Sequence, residues 1–258
     1  MPKTPTTGSD AKSAVGVTAS VVTHLEDLVL GELEPGSELP SESDLAAELG
    51  VSRLTVREAT KSLQARGLID VRQGRRPMVA HPNAGPIGDF FSAAVRRDPR
   101  RLMDLVEVRR ALEVQIASLA ATRSSRAAVA AMETALAAMQ EVAEDPVAFH
   151  ESDIRFHESL AEGAGNQMLS FLIEAMEEPL RNARMQSMQG HLSRGGTVAD
   201  VIEQHAAILE RVKARDAVGA ANAMRQHLMQ TARDLRAFLD LRGVTPEHVS
   251  DATTEESA

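Results

Sequence analysis

The stretch LPSESDLAAELGVSRLTVREATKSLQARGLIDVRQG, residues 39–74, decides the fold of the N-terminal part of this chain. Ser41 is a helix N-cap, and Asp44 stands three residues on in the acidic slot of a capping box. Leu45, Ala46 and Leu49 follow at helical spacing, and Gly50 ends the helix where a left-handed residue is tolerated. Ser52 is a second N-cap, and the next helix runs to Gly67. Two short helices joined by so tight a turn predict a helix-turn-helix, whose second helix can lie in a DNA major groove.

Charge supports that reading. Arg53, Arg57, Lys61, Arg66, Arg72, Arg75 and Arg76 follow the turn, opposed only by Glu58 and Asp70. Residues 26–52 carry eight acidic side chains and no Lys or Arg. Arg53 and Arg57 are one turn apart at the start of the second helix, where a recognition helix meets base edges. Arginine there can fork onto guanine O6 and N7 or clamp a phosphate. A basic helix by itself is usually just solvated; the turn and the wing around it point to double-stranded DNA.

Working outward, Thr18–Leu30 reads as a preceding helix with Val21, Val22, Leu25, Leu28 and Val29 on its apolar face. Residues 1–17, rich in Pro, Thr, Ser and Gly, read as a disordered lead-in. Beyond Gly67, residues 68–72 and 77–80 predict a small hairpin around Gly74, with Gln73, Arg75 and Arg76 at its tip. Pro77 in the return strand predicts an edge strand. The winged helix-turn-helix thus spans residues 18–81, and the Pro/Gly/Asn stretch after His81 opens a linker with a short helix, residues 82–101.

Residues 102–240 then carry long Ala/Leu/Met-rich segments of helical period: 102–122, 125–143, 147–162, 167–188, 198–214 and 217–240, after a short helix near 87–97. The expected fold class is therefore mostly α, a winged helix-turn-helix followed by an all-α antiparallel bundle. Pro179 predicts a kink or a split in the 167–188 helix. The acidic segment 241–258 reads as a frayed tail.

Composition sets limits. A chain of 258 residues with net charge −9 must confine any nucleic-acid contact to a patch. With no Cys there is neither a disulfide framework nor thiolate chemistry. No Trp, no Tyr and six Phe disfavour base-stacking platforms. No apolar run approaches a membrane span and no signal-peptide core opens the chain, so the expected location is the cytoplasm, with no membrane partner.

The bundle's apolar stripes are interrupted by polar residues. Leu102, Leu105, Arg109, Leu112, Ile116 and Leu119 form one inward ridge, with Arg109 in a core slot. Asp153 and His157 share a face with Phe149, Phe156 and Leu160; His205 lies on a ridge with Val201, Ile208 and Val212; His227 clusters with Met224, Leu228 and Thr231. A lone inward histidine is more often a core residue than a ligand, and Asp153 could pair with Arg109. Four ligand-type residues facing inward together predict a divalent transition metal held by Asp153, His157, His205 and His227. Such a site stays positive after Asp153 is counted, and Arg109 adds to that, which suits a small carboxylate. Of the other histidines, only His191 is expected to reach such a pocket.

The residues PGSELPSESDLAAELGVSRLTVREATKSLQARGLI closely resemble the winged-helix domain of GntR-type transcriptional regulators. The bundle resembles the FCD effector domain of their FadR-type branch. The features that carry this are Glu107-x-Arg109, Asp153-x-x-x-His157 with Leu160 and Gly165-Asn166, His205 and His227. The resemblance implies a cytosolic homodimer on palindromic operator DNA, acting as a repressor whose hold changes on binding a small metabolite such as a sugar acid. DNA contacts are expected from Ser41, Ser52, Arg53, Thr55, Arg57, Lys61, Gln73, Gly74, Arg75 and Arg76. The resemblance also implies a metal on Asp153, His157, His205 and His227, zinc first, with nickel or manganese as alternatives, and an effector contact from Arg109; His191 and Asn166 are further expected effector contacts. There are departures. Ser43 replaces a DNA-holding arginine found in some members, and Gly74-Arg75-Arg76-Pro77-Met78 replaces a wing with a second glycine and an aromatic. Members that bind acyl-CoA lack the metal residues, so a fatty acyl thioester is not expected. The competing reading is a metal-dependent hydrolase using the Asp/His3 set; no general base is evident beside that set, and it leaves the winged helix unexplained. No catalytic residue is therefore assigned.

Overall fold

The computed structural model describes residues 9–241. The chain divides into two compact units between Pro86 and Ile87, each with its own apolar core.

In the first unit α1 (Ser9–Asp27) runs into a π-helical turn, Leu28–Glu32. The helix begins nine residues before the expected start at Thr18, so residues 9–17 are helical rather than a disordered lead-in; the first eight lie outside the described residues. Then come α2 (Glu42–Leu49) and α3 (Arg53–Ala65). The Ser41 hydroxyl accepts from the Asp44 amide at 3.2 Å and the Ser52 hydroxyl from the Thr55 amide at 3.1 Å. Gly50 closes α2 at φ +64°, a left-handed conformation in which a side chain would be strained. Leu25, Leu39, Leu45, Val56, Leu63 and Ile69 form the core that locks these helices together.

The wing is β1 (Ile69–Asp70) and β2 (Met78–Val79), antiparallel, with Ile69 opposite Val79. The edge-strand expectation for the Pro77 strand is not met. On its other side β2 bridges Glu38, the Val79 amide donates to the Ser37 carbonyl at 2.8 Å, and the Pro77 carbonyl accepts from Leu39 at 2.8 Å. Pro77 fits because its carbonyl is the group used there, and the missing N–H is not called on.

The second unit is helical: α4 (Gly85–Arg97), α5 (Arg101–Arg123), α6 (Arg126–Glu141), α7 (Pro146–Gly163), α8 (Gln167–Ser193), α9 (Val198–Lys213) and α10 (Ala217–Leu241). Phe91 and Val95 of α4 pack on its core, so that helix is part of this unit rather than of a linker. Caps sit where the sequence offers them: Asp145 with Pro146 at the start of α7, and Thr197 with Asp200 as a full capping box on α9. Helix α8 is not split. It continues through Pro179 and five residues beyond its expected end, which brings His191 into its last turn. Pro179 has no N–H for the Ala175 carbonyl, and α4 lays Gly88 over that point; a Cβ there would stand 3.3 Å from the carbonyl oxygen. Helices α8 and α10 cross closely at Gly190, where a Cβ would come within 2.0 Å of the Asp234 carbonyl oxygen. That crossing seats His191 against Asp234. The frayed-tail expectation falls on residues almost all outside those described.

Candidate functional site

Helix α5 brings Leu105, Val106, Arg109, Glu113, Ile116 and Ala120 to the core, whereas Leu102, Leu112 and Leu119 are only half-buried. The ridge therefore turns one residue from the expected line, and Glu113 takes the place assigned to Leu112. Spacings of three and four both suit a helix face; an acid won because two partners await it. Glu113, 1 % exposed, accepts from Arg109 Nε through one oxygen and pairs with His157 Nδ1 through the other.

That contact orients the His157 ring. His205 donates from Nδ1 to the Val201 carbonyl at 2.7 Å, and His227 from Nδ1 to Gln204 Oε1 at 2.9 Å. With each Nδ1 proton committed, each Nε2 keeps its lone pair. These three nitrogens and an Asp153 oxygen all lie within 4.8 Å of one another. Ligands around one zinc ion, with bonds of about 2.0–2.2 Å, stand roughly 3–4 Å apart, so small movements would close the set. Histidine metal ligands ordinarily donate their other ring N–H to a carboxylate, a carbonyl or a similar acceptor, as all three do here.

Asp153 divides its oxygens. Oδ1 faces His205 Nε2 at 3.1 Å and His157 Nε2 at 3.8 Å; Oδ2 is held by Arg184 Nη1. The His205 contact has ion-pair distance but not hydrogen-bond alignment, and both Nε2 atoms are buried without a hydrogen-bond partner. Lone pairs pointed at a carboxylate oxygen are repulsive unless a cation lies between them. The donor chemistry therefore fits a divalent transition metal. Burial pushes the Asp153 carboxyl up, but Arg184 and the neighbouring imidazoles outweigh it and hold it well below the usual carboxylate range. Burial pushes His157 down to about 4 against the pull of Glu113, and burial with His205 and His157 holds His227 well below the ordinary imidazole value. Neutral imidazole is the form a metal needs.

A cavity of about 290 Å³ opens beside this set. Arg109, Asp153, His191 and His227 line it, together with two residues the sequence reading passed over, Arg184 and His150. His150 was expected to lie outside any pocket. It stands one turn before Asp153 on the same face of α7, and that spacing was the signal. Nothing local marked Arg184: its partner Asp153 is 31 residues away on another helix. His191 donates from Nδ1 to Asp234 Oδ2 at 3.0 Å, and its Nε2 stands 3.4 Å from Asp200. Asn166 is not brought to the cavity. It is exposed, and its side chain accepts from the Met168 and Leu169 amides as the N-cap of α8.

In the first unit α3 turns Val56, Ala59, Thr60 and Leu63 inward and leaves Arg53, Leu54, Arg57 and Lys61 outside. Leu54, 65 % exposed between the two arginines, was not singled out from sequence; an apolar side chain there suits a thymine methyl. Arg57 is forked onto Glu42 (2.9 Å from Nη2), and this hydrogen bond is the main reason the Glu42 carboxyl is lowered. Lys61 pairs with Glu58 at 3.0 Å. At the wing Gln73, Gly74, Arg75 and Arg76 are all exposed, with Gly74 at φ +73°. The Ser41 and Ser52 hydroxyls are already engaged as caps, and Thr55 Oγ1 lies 2.8 Å from Ser52 Oγ.

Residues 18–79 match the family described as bacterial regulatory proteins, gntR family, and residues 104–230 match the FCD domain. The regulator LutR of Bacillus subtilis (strain 168) is 31 % identical over 211 residues, covering 81 % of this chain and 96 % of its own. The chain belongs to the GntR family, with an FCD domain. The Glc operon transcriptional activator of Escherichia coli (strain K12) is 32 % identical over 225 residues, covering 83 % of this chain and 87 % of its own. Among solved structures, Streptococcus agalactiae GntR covers 84 % of this chain and 99 % of its own at a TM-score of 0.62 and 28 % identity. This GntR-family protein is thus a transcriptional regulator, not an enzyme, which removes the hydrolase reading. GntR-family regulators bind operator DNA, and among the described residues of this one no helix is long and apolar enough to cross a membrane.

Proposed function

We propose that this regulator is a cytoplasmic homodimeric repressor on a palindromic operator. Its helical unit binds one divalent transition metal, zinc in the first place, together with a small carboxylate that alters operator binding. One observation carries the metal and effector reading: three imidazole Nε2 atoms and one carboxylate oxygen converge, each imidazole tied back through Nδ1, at the wall of a cavity that also holds Arg109. Asp153, His157, His205 and His227 hold the metal, which when bound offers an open position for a carboxylate oxygen. Arg109 receives the other oxygen through its buried, unpartnered Nη2. His191, fixed by Asp234, contacts the same ligand.

On the DNA side, Arg53 and Arg57 read base edges or adjacent phosphates, with Lys61, Gln73, Arg75 and Arg76 mainly on phosphate. Ser41, Ser52, Thr55 and Gly74 contribute through the helix N-termini and the wing turn they shape. Because the effector and the operator favour different arrangements, each weakens the other's binding by the same factor.

The test is elemental analysis of purified protein beside operator titration with and without small carboxylates. About one metal per chain is expected, lost in Asp153→Ala with His157→Ala, together with carboxylate release of DNA in wild type but not in Arg109→Ala. Full metal content in the double variant, or release unaltered in Arg109→Ala, would defeat the reading.

A further inference from the structure

The polar atoms around the cavity exceed what one carboxylate can use. Arg109 Nη2, Arg184 Nε and His150 Nε2 are each buried without a hydrogen-bond partner, and all three side chains line the same cavity. An arginine nitrogen can only donate, so two of the three call for acceptor oxygens. Buried unsatisfied polar atoms are costly, and two arginine nitrogens and one imidazole nitrogen on side chains that border one cavity point to a ligand that supplies their partners.

Charge leads to the same place. The carboxylates of Glu113 and Asp153 are matched by the guanidiniums of Arg109 and Arg184, and the three ligand histidines are neutral when they bind metal. A divalent ion therefore leaves this buried group with two positive charges. A monocarboxylate cancels one of them. A buried charge left unpaired is penalised far more than a paired one, so a second acid group on the ligand suits this cage; Asp234, also at the cavity wall, is engaged by His191 and Gln230.

Arg184 is placed to receive the second acid group. Its Nη1 is occupied by Asp153 Oδ2, which frees Oδ1 for the histidine side, while its Nε remains open. His150 lies one turn from Asp153 on α7 with its own Nε2 open. Phe149, Met185, Met188 and Leu192 add apolar wall to a lining that also includes Glu144, Gln230 and Asp234.

We infer that the effector is a short-chain dicarboxylate, one acid group at the metal and Arg109 and the other held by Arg184 and His150. This deepens, and rests on, the reading of the cavity as a carboxylate site beside a metal.

The experiment is isothermal titration calorimetry of zinc-loaded full-length protein with matched acids: propionate against malonate, butyrate against succinate, 2-hydroxybutyrate against malate. In at least one pair the dicarboxylate should bind tenfold or more tightly. That preference, taken as the ratio within the pair, should fall about tenfold in Arg184→Gln and in His150→Leu and be largely retained in Arg184→Lys. Bound zinc is measured in each variant, since Arg184 also orients Asp153. Equal binding of both members of every pair overturns the dicarboxylate inference and leaves the carboxylate reading standing. A preference that persists in Arg184→Gln and His150→Leu overturns the assignment of these residues. Binding of neither member by zinc-loaded, DNA-competent protein overturns the carboxylate reading and this inference with it.

Discussion

The two units treat charge in opposite ways. On the winged helix the cations proposed to meet DNA are exposed and pair with acids that solvent also reaches: Arg57 with Glu42, Lys61 with Glu58, Arg76 with Glu38 at 3.9 Å. In the helical unit Arg109, Glu113 and His157 are enclosed and joined through Glu113, and Arg184 holds Asp153. Exposed pairs contribute little to stability and exchange partners cheaply, which suits the proposed exchange of Glu42 for a phosphate or a base. Buried pairs are expensive to break, which suits the proposed role of this cage as a metal site. A DNA surface can be assembled from replaceable contacts; a metal centre needs its neighbours held in place beforehand.

The comparison is tested most severely at the two glutamates. Glu113→Ala strands Arg109 and the His157 ring nitrogen in the core and should lower stability by about 3–5 kcal/mol. Glu42→Ala should change it by less than about 0.5 kcal/mol. Thermal unfolding of both variants measures the contrast, and similar losses would erase it. Operator binding should reverse the order. Arg57→Ala is expected to cost about 1–3 kcal/mol of operator affinity with no loss of stability. Glu42→Ala, which releases Arg57, should tighten binding; both are read by fluorescence anisotropy on the same duplex. At the wing, Arg75→Ala and Arg76→Ala should each reduce the slope of log K against log salt by about one, without a change of sequence preference, as phosphate contacts do.

A further effect concerns a partly buried group in the helical unit that behaves unlike either class. Burial first, and then the Glu158 charge, push the Glu177 carboxyl up to about 7 from 4.5, and its Oε1 is buried without a partner. A carboxyl raised on folding binds its proton more tightly in the native state. Its contribution is therefore favourable below about pH 4.5 and is lost as the pH rises towards 7. Glu177→Gln should raise stability at pH 8 by about 1 kcal/mol, the shift being discounted for solvent exposure, and by nothing at pH 4. Denaturant melts at the two pH values give the difference; an equal effect at both would mean that Glu177 does not titrate there.

Legibility in the sequence followed range along the chain. The caps at Ser41, Ser52 and Gly50, the basic second helix and the wing turn at Gly74 are local features, and the structure has them where the spacing puts them. The inward positions of His157, His205 and His227 were legible too, because an apolar stripe of helical period reveals which way a polar residue in it must point. The shift on α5 from Leu112 to Glu113 was not, since a spacing of three or four allows either, and the choice depended on Arg109 and His157 being at hand. Asn166, expected at the effector, is instead the exposed N-cap of α8, since a residue within a motif can serve as a cap as readily as a contact.

By itself, then, the sequence determined the mostly helical class, the winged helix-turn-helix and the inward set of one aspartate and three histidines, since each follows from local backbone preference or from periodicity. Only the tertiary structure decided that Glu113 joins Arg109 to His157, that Arg184 holds Asp153, and that His150 reaches the cavity. Those pairings span up to 44 residues and arise from how the helices pack, and no single helix carries a record of the charge it will meet on another.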